Sequence, residues 1–108
     1  MAMRSIRVSH IVLSTKDIAD LLLDNLKSCE SNELMLKMFS KLAKKYSACG
    51  TSKKGGDLGF LEFNTAAPEL EKAAMQAPVG KVSGPIQSKF GYHIFVITEE
   101  EKMIDTGI

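Results

Sequence analysis

The sequence has few of the features that mark membrane proteins or disulfide-rich scaffolds. It contains no tryptophan, two cysteines, three prolines and 6% aromatic residues. Its longest uncharged apolar runs, such as residues 94–97, have four or five residues, whereas a transmembrane helix needs about 20. We therefore expect a soluble protein without membrane insertion.

A secretory leader is also missing from the start of the sequence. Residues 1–15 contain neither the apolar stretch nor the small-residue cleavage site of a signal peptide. The default expectation is therefore a cytoplasmic location, although a leader or a parent chain removed earlier would leave the same sequence.

Neither sign of charge dominates the composition. The chain has 14 Lys and Arg against 13 Asp and Glu, which gives a formal net charge of +1. Nucleic acids and anionic membranes attract proteins through an excess of basic side chains. We therefore expect no nucleic-acid partner, and we interpret the lysines of the second predicted helix as a solvated surface.

The two cysteines and two histidines show no pattern of a covalent or metal framework. Cys29 and Cys49 lie near opposite ends of a predicted helical stretch, so we expect free thiols rather than a disulfide. Neither they nor His10 and His93 have the near-neighbour spacing of a zinc site. We expect no metal and no other cofactor.

The first half of the chain predicts one strand and two helices. Apolar side chains alternate along residues 6–14, which predicts a strand with His10 on the same face as Val8 and Val12. A capped amphipathic helix is predicted to follow, ending at about Lys27, and a second helix at about 32–46.

The second half predicts a loop, three short strands and one helix. The glycine-rich residues 47–59 predict a loop with at most one short helical turn, and loops of this kind often carry function. A strand over 58–63 and a helix from about Pro68 follow. The last two strands are separated by a short turn near residues 88–91.

These elements favour one α+β domain. A hairpin-length turn between the last two strands indicates a mainly antiparallel sheet rather than a doubly wound parallel one. The 108 residues, 44% of them hydrophobic, fit a single domain. We expect its core to span residues 6–98 and residues 99–108 to form a polar tail.

Five motifs occur in order along the chain: Ser9-His10-Ile11-Val12, LAKKYSAC at 42–49, GGDLG at 55–59, VSGP at 82–85, and Phe90-Gly91-Tyr92-His93. This pattern resembles that of the parvulin-type peptidyl-prolyl cis/trans isomerases, also called the PpiC or rotamase family. An ordered set of motifs is far more specific than any one of them. The resemblance implies a four-stranded sheet surrounded by about four helices, with a shallow substrate groove.

The resemblance also assigns the site. It implies that His10 and His93 face each other beneath the groove and that Ser88 hydrogen-bonds within their network. Cys49 matches a position of cysteine or aspartate near the substrate carbonyl. The substrate-binding positions are Leu58, Ala66, Leu70 and Phe90.

The chemistry expected of these residues is non-covalent. Rotation about an X-Pro bond makes and breaks no covalent bond, so Cys49 would tune the electrostatics near the carbonyl rather than attack it. Thiol redox chemistry is disfavoured because the chain has no Cys-x-x-Cys motif. Taken alone, His10 or His93 would more often be a hydrogen-bonded core histidine, and only the ordered motifs favour a functional role.

Two departures from the family pattern leave an alternative open. Ala66 and Leu70 stand where the family usually has Met and Phe flooring the proline socket. The link at residues 14–17 lacks the arginine and lysine cluster of phosphate-directed parvulins. We expect a monomeric isomerase acting on proline-containing peptides or unfolded segments without phosphoserine selectivity. The alternative is a low-activity or inactive parvulin-fold module for peptide binding or chaperoning.

Overall fold

The structure is a computed structural model that describes residues 5–47, 55–61 and 67–101. These residues form four strands and three helices in the order β1, α1, α2, β2, α3, β3, β4. Their bounds are as follows: β1 Ser5–Leu13, α1 Lys16–Lys27, α2 Asn32–Tyr46, β2 Asp57–Phe60, α3 Pro68–Gln76, β3 Ser83–Ser88 and β4 Gly91–Glu101.

The four strands make one sheet with the order β2-β1-β4-β3, in which every neighbouring pair is antiparallel. The two longest strands, β1 and β4, are central and therefore have a partner on both sides. The α+β class and the antiparallel sheet expected from the sequence are confirmed. The described ranges contain three helices where about four were expected, and most of the loop expected to hold a further helical turn lies outside them.

Side-chain caps explain where the first two helices begin. The Thr15 hydroxyl accepts the N–H of Ile18 at 3.4 Å, and the Ser31 hydroxyl accepts the N–H of Leu34 at 3.2 Å. Each cap satisfies a backbone donor that the first helical turn leaves without an internal partner. The predicted bounds of α1 and α2 are accordingly close to those observed.

The sheet separates two apolar clusters. Alternation along β1 sends Ile11 and Leu13 to one face and Ile6 and Val8 to the other, as the sequence predicts. The first cluster packs against α1 and α2 and contains Ile11, Leu13, Ala19, Leu22, Leu23, Leu26, Met35, Phe39, Ala43, Val82, Ile94 and Val96. The second packs against α3 and contains Ile6, Val8, Ala67, Leu70, Ala74, Ala77, Phe95 and Ile97.

The polar tail begins later than the sequence predicts. Strand β4 continues past residue 98 to Glu101, because Ser5, Ile6 and Arg7 of β1 pair with Glu101, Glu100 and Glu99. Arg7 also forms an ion pair with Glu99 at 3.0 Å and a second one with Asp57 of β2. Cross-strand pairing and the Arg7–Glu99 ion pair thus extend the sheet through residues 99–101, which the sequence alone predicts to be part of a polar tail.

Within the described ranges, no helix is both long enough and apolar enough to cross a bilayer.

Candidate active site

The two histidines of the chain meet across the central strands. His10 of β1 lies opposite Phe95, and His93 of β4 lies opposite Val12, so the two histidines are diagonal neighbours on the same face of the sheet. Their Nδ1 atoms are 3.1 Å apart, and their rings stack with centroids 5.3 Å apart and planes inclined by 21°. The structure thus brings together the two histidines that the motifs single out.

Ser88, the last residue of β3, extends this contact. Its Oγ lies 2.6 Å from Nε2 of His93, and it accepts the backbone N–H of Phe90 at 3.1 Å. The Ser88 hydroxyl is therefore fixed by two hydrogen bonds, one with the backbone of the β3–β4 turn and one with the His93 imidazole. The result is a continuous chain of hydrogen bonds from the Phe90 N–H through Ser88 and His93 to His10.

The chain of bonds selects a tautomer for each imidazole. A bond between two Nδ1 atoms needs one donor and one acceptor, so the two neutral rings must carry their protons on different nitrogens. If the Ser88 hydroxyl donates to Nε2 of His93, then Nδ1–H of His93 donates to Nδ1 of His10, and His10 carries its proton on Nε2. The opposite set of tautomers would leave the Ser88 hydrogen without an acceptor among the described residues. We therefore propose the first set, in which the Ser88 hydrogen has an acceptor within the network.

Burial keeps both imidazoles neutral. His10 is 5% exposed and His93 is 2% exposed. Burial, with a smaller contribution from the charge of a protonated His93, lowers the pKa of His10 to about 4. Burial likewise lowers the pKa of His93, while the Glu69 carboxylate acts in the opposite direction. Near neutral pH the pair is uncharged and each ring can donate and accept one hydrogen bond.

Two anchors that sequence reasoning did not identify hold β1 beside the histidine pair. The N–H of His10 donates to the Gly56 carbonyl at 2.9 Å, and the N–H of Val12 donates to the Ser47 hydroxyl at 3.0 Å. Gly56 has φ of +85°, and a Cβ there would collide with the His10 carbonyl. No local sequence pattern marks Ser47 or Gly56 for these roles, because both depend on where their segments meet β1.

The apolar positions expected to bind substrate lie in different environments. Leu58 is half-buried beside the second cluster, and Leu70 belongs to it and is 0% exposed. Phe90 is 63% exposed at the β3–β4 turn, next to Ser88, with the Lys89 ammonium over its ring at 5.2 Å. Cys49 and Ala66, the remaining predicted site residues, lie outside the described residues.

The described side chains of the site, His10, Ser88 and His93, are hydrogen-bond donors and acceptors. In the part of the chain that the structure describes, no three His, Cys, Asp or Glu side chains are grouped so that they could hold a metal ion. Two neutral imidazoles and a hydroxyl can redistribute hydrogen bonds without a change in net charge. A neutral, buried hydrogen-bond network next to an apolar cluster is the arrangement expected of a peptidyl-prolyl isomerase domain of the parvulin type.

Comparison with known proteins gives the same class. The PPIC-type PPIase domain family, named Rotamase, matches residues 10–99. The chain is 39% identical over 98 residues to the foldase protein PrsA of Geobacillus kaustophilus, covering 90% of this chain and 32% of that protein. It is 38% identical to the parvulin of Nitrosopumilus maritimus, whose solved structure matches with a TM-score of 0.72. That match covers 90% of this chain and 98% of the parvulin. The chain belongs to the PpiC-type, or parvulin, family of peptidyl-prolyl isomerase domains.

The relatives correct the expected location. One solved structure matches this chain with a TM-score of 0.83 and 26% identity, and the match covers 93% of this chain and 40% of the chain in that structure. That structure comes from a study of two SurA-like chaperones of Campylobacter jejuni, one of which is described as periplasmic. The expectation of a cytoplasmic location is wrong. It rested on residues 1–15, and a leader removed during export leaves no trace in the remaining sequence. The chain also spans only about a third of the PrsA relative.

Proposed function

We propose that this domain accelerates cis/trans rotation about X-Pro bonds in peptides and unfolded protein segments. The observation that carries the proposal is the buried pair of neutral imidazoles, bonded through Nδ1 at 3.1 Å and continued to Ser88 at 2.6 Å. The match to the foldase PrsA over 90% of this chain supports protein segments as the substrate.

The barrier to be lowered comes from amide resonance. Twisting an X-Pro bond costs about 18–20 kcal/mol, because the partial double bond between carbonyl carbon and nitrogen must be broken. In the twisted state the nitrogen becomes pyramidal and accepts hydrogen bonds better, while the carbonyl loses its amide character. An enzyme that binds this state more tightly than either planar isomer lowers the barrier without a covalent intermediate.

The histidine pair is suited to that task because it is neutral and its hydrogen bonds are fixed. Protonation of either ring would make Nε2 of His93 a donor, so Ser88 could no longer donate to it, and protonation of both rings would also break the Nδ1–Nδ1 bond. Ser88 holds the tautomers, so the polar surface does not need to reorganise as the amide twists. On sequence grounds we add Cys49, beside the carbonyl, and Leu58, Ala66 and Phe90 as the apolar surface for the proline ring. Leu70, the fourth position that the resemblance implies, is 0% exposed and lies within the second cluster rather than on this surface.

We propose that phosphoserine is not required before proline. Only Ser14 and Thr15 separate β1 from α1, and neither carries a positive charge. The one basic side chain beside the link, Lys16, pairs with Asp20 at 3.5 Å, whereas tight binding of a phosphate dianion needs a cluster of basic side chains. An arginine or lysine cluster at this link is the feature that would have favoured phosphopeptides.

An NMR exchange assay tests this function. Short peptides that differ only in the residue before proline, including a matched phosphoserine and serine pair, are mixed with catalytic amounts of the domain. Accelerated exchange for several unphosphorylated peptides is the expected result. Exchange at the uncatalysed rate for the whole panel would refute isomerase activity, and acceleration of the phosphopeptide alone would refute the substrate class.

A second candidate function is peptide binding without turnover, as in a chaperone module. It is favoured by Leu70, which is 0% exposed and so presents no surface where the family usually has a large aromatic side chain. Its signature is chemical-shift changes around Leu58 and Phe90 on peptide addition with no faster exchange. The double change Ala66→Met and Leu70→Phe discriminates the two: it should increase exchange if the socket limits turnover.

We further propose that residues 1–108 form a single domain that acts as a monomer. The paired strands β1 and β4 join both ends of the described chain in one sheet, which supports one folding unit. Sedimentation equilibrium at micromolar concentrations tests this, with a mass near 11.8 kDa as the expected result. A concentration-dependent doubling of mass would contradict it.

A further inference from the structure

Helix α2 carries two parallel rows of side chains on its outer surface. Residues four apart lie one above the other on a helix, so each set forms a ridge along the axis. One row is apolar and consists of Leu34, Met38, Leu42 and Tyr46. The adjacent row is basic and consists of Lys37, Lys41 and Lys45.

Three of the four side chains of the apolar row are exposed. Leu34 is 51% exposed, Met38 40% and Tyr46 46%, while Leu42 is half-buried. Four large apolar side chains in a line are unusual on a helix surface that faces only water, since scattered single exposures are the ordinary case. From Leu34 to Tyr46 the row rises by 12 residue steps, or about 18 Å at 1.5 Å per residue.

A groove runs beside this row. It has a volume of about 730 Å³, and its walls come from Asn25, Ser28 and Cys29 at the end of α1 and from Leu34, Met38 and Leu42 of α2. The apolar row therefore forms one wall of a concave surface. A concave apolar surface of this length fits the apolar face of a short helix.

Charge determines what kind of helix fits. Lys37 and Lys41 line the same groove, and Lys45 continues their row; all three ammonium groups are on exposed residues. Lys37 forms an exposed ion pair with Glu33 at 3.6 Å, and no carboxylate of the described residues forms an ion pair with Lys41. The Lys45 ammonium lies over the Tyr46 ring at 5.2 Å, and Glu30 also lines the groove, where the two lysines outnumber it. The basic row is thus available to acidic side chains of a partner, although the whole chain has a net charge of only +1.

We propose that the α2 surface, defined by these two rows and the groove, binds an amphipathic helix in which an apolar row lies beside a row of acidic residues at four-residue spacing. The apolar row of the partner enters the groove against Leu34, Met38 and Leu42. Its carboxylates face Lys37, Lys41 and Lys45. This surface lies on the α1–α2 side of the sheet, whereas His10 and His93 lie on the face that carries the second cluster, so docking leaves the isomerase site open.

The test uses a designed peptide as the probe. A stapled helix of about 16 residues carries leucines at every fourth position and glutamates at every fourth position of the adjacent row, and its control has lysines in place of the glutamates. Binding is measured by fluorescence anisotropy, and its position by amide shifts in NMR spectra. The acidic peptide should shift amides of α2 and the end of α1, and the basic peptide should bind about tenfold or more weakly.

Charge reversal separates a specific surface from general attraction. In the variant Lys37→Glu/Lys41→Glu, the acidic peptide should lose about tenfold or more in affinity and the basic peptide should gain it. The matched control Lys16→Glu/Lys72→Glu makes the same change in net charge at residues that do not line the groove, and it should leave both affinities unchanged. Both variants should keep the exchange activity of the parent domain.

Three results would overturn the proposal. One is equal binding of the acidic and basic peptides. Another is an equal loss of affinity in the Lys37/Lys41 variant and in its control. The third is self-association of the domain through α2, seen as a rise in sedimenting mass that Met38→Glu abolishes, since this would assign the surface to a second copy of the chain.

Discussion

The Ser47 hydroxyl accepts the N–H of Val12 at 3.0 Å, and Val12 is the residue that pairs with His93 across the central strands. The end of α2 is thereby attached to the strand position opposite a proposed catalytic histidine. Strand β2 pairs with β1 only at Arg7 and Ser9, so Ser47 supplies a bond that the neighbouring strand does not reach. The geometry of the site depends on this link between helix and sheet.

Replacing Ser47 with Ala should destabilise the domain by about 1–2 kcal/mol. The change leaves the Val12 N–H, in a buried strand, without its acceptor. Urea denaturation measures the effect. Ser47→Thr keeps the hydroxyl and should cost less, and Ser28→Ala, which removes an exposed hydroxyl, should change the free energy of unfolding by less than about 0.5 kcal/mol. Equal stability of Ser47→Ala and the parent would contradict the proposed link.

Lowering the pH should destabilise the fold through His10. Its pKa falls from an unfolded value near 6.5 to about 4 in the folded state, so between these values the unfolded chain binds more protons. The stabilisation is therefore complete above about pH 6.5 and is lost as the pH falls toward 4, by roughly 1–3 kcal/mol. Urea denaturation at pH 7 and pH 4.5 measures the loss.

The same pH range provides a direct check on the histidines. An NMR titration of the two rings should give an apparent pKa near 4 for His10 and one below the ordinary histidine value for His93, since burial lowers each pKa. An apparent pKa at or above 6.5 for either histidine would show that the folded domain tolerates a charged imidazolium in the pair. The neutral-pair mechanism would then be wrong, whatever the stability measurements gave.

Ser88 should control the tautomer of His93. In the parent domain, long-range proton–nitrogen spectra should show a protonated Nδ1 and an unprotonated Nε2 for His93. Ser88→Ala removes the hydroxyl 2.6 Å from Nε2, so we expect mixed tautomers and a loss of about tenfold in kcat/KM with the KM little changed. Ser88→Thr should restore both. Unchanged tautomers and activity in Ser88→Ala would remove Ser88 from the site.

Leu70 should matter for stability more than for substrate contact. It is 0% exposed within the second cluster, and a Leu→Ala change in such a position costs about 2–5 kcal/mol. Thermal or urea unfolding of Leu70→Ala measures this. Leu21→Ala, at a leucine that is 62% exposed, is the matched control and should cost about 0.5 kcal/mol or less. A similar small cost for both would show that Leu70 lines an open socket.

Much of the fold could be predicted because its signals are local. The alternation along β1 placed His10 on the correct face, and helical periodicity gave bounds for α1 and α2 close to those observed. Caps, periodicity and turn residues act over a few positions and can be read from one segment at a time. The order of motifs then identified the family, and the family implied the sheet.

The remaining features depend on contacts between distant segments. In the sequence, the run Glu99 to Glu101 resembles a solvated tail. In the structure it belongs to β4, because it pairs with the start of β1 and because Arg7, 92 residues from Glu99, binds the Glu99 carboxylate. The roles of Ser47 and Gly56 likewise depend on where their segments meet β1, which no local pattern encodes. The family resemblance named His10, Ser88 and His93 together, yet the Nδ1–Nδ1 contact depends on how β1 and β4 pair.

The central claim is that a neutral, buried histidine pair forms the polar half of an isomerase site. The most direct measurement is the exchange rate of one X-Pro peptide at pH 7.5, determined by NMR for the parent domain and for His10→Asn and His93→Asn, each confirmed to be folded by its amide spectrum. The account predicts clear acceleration by the parent and a loss of about tenfold or more in each variant. Full activity in both variants, or none in the parent, would contradict it.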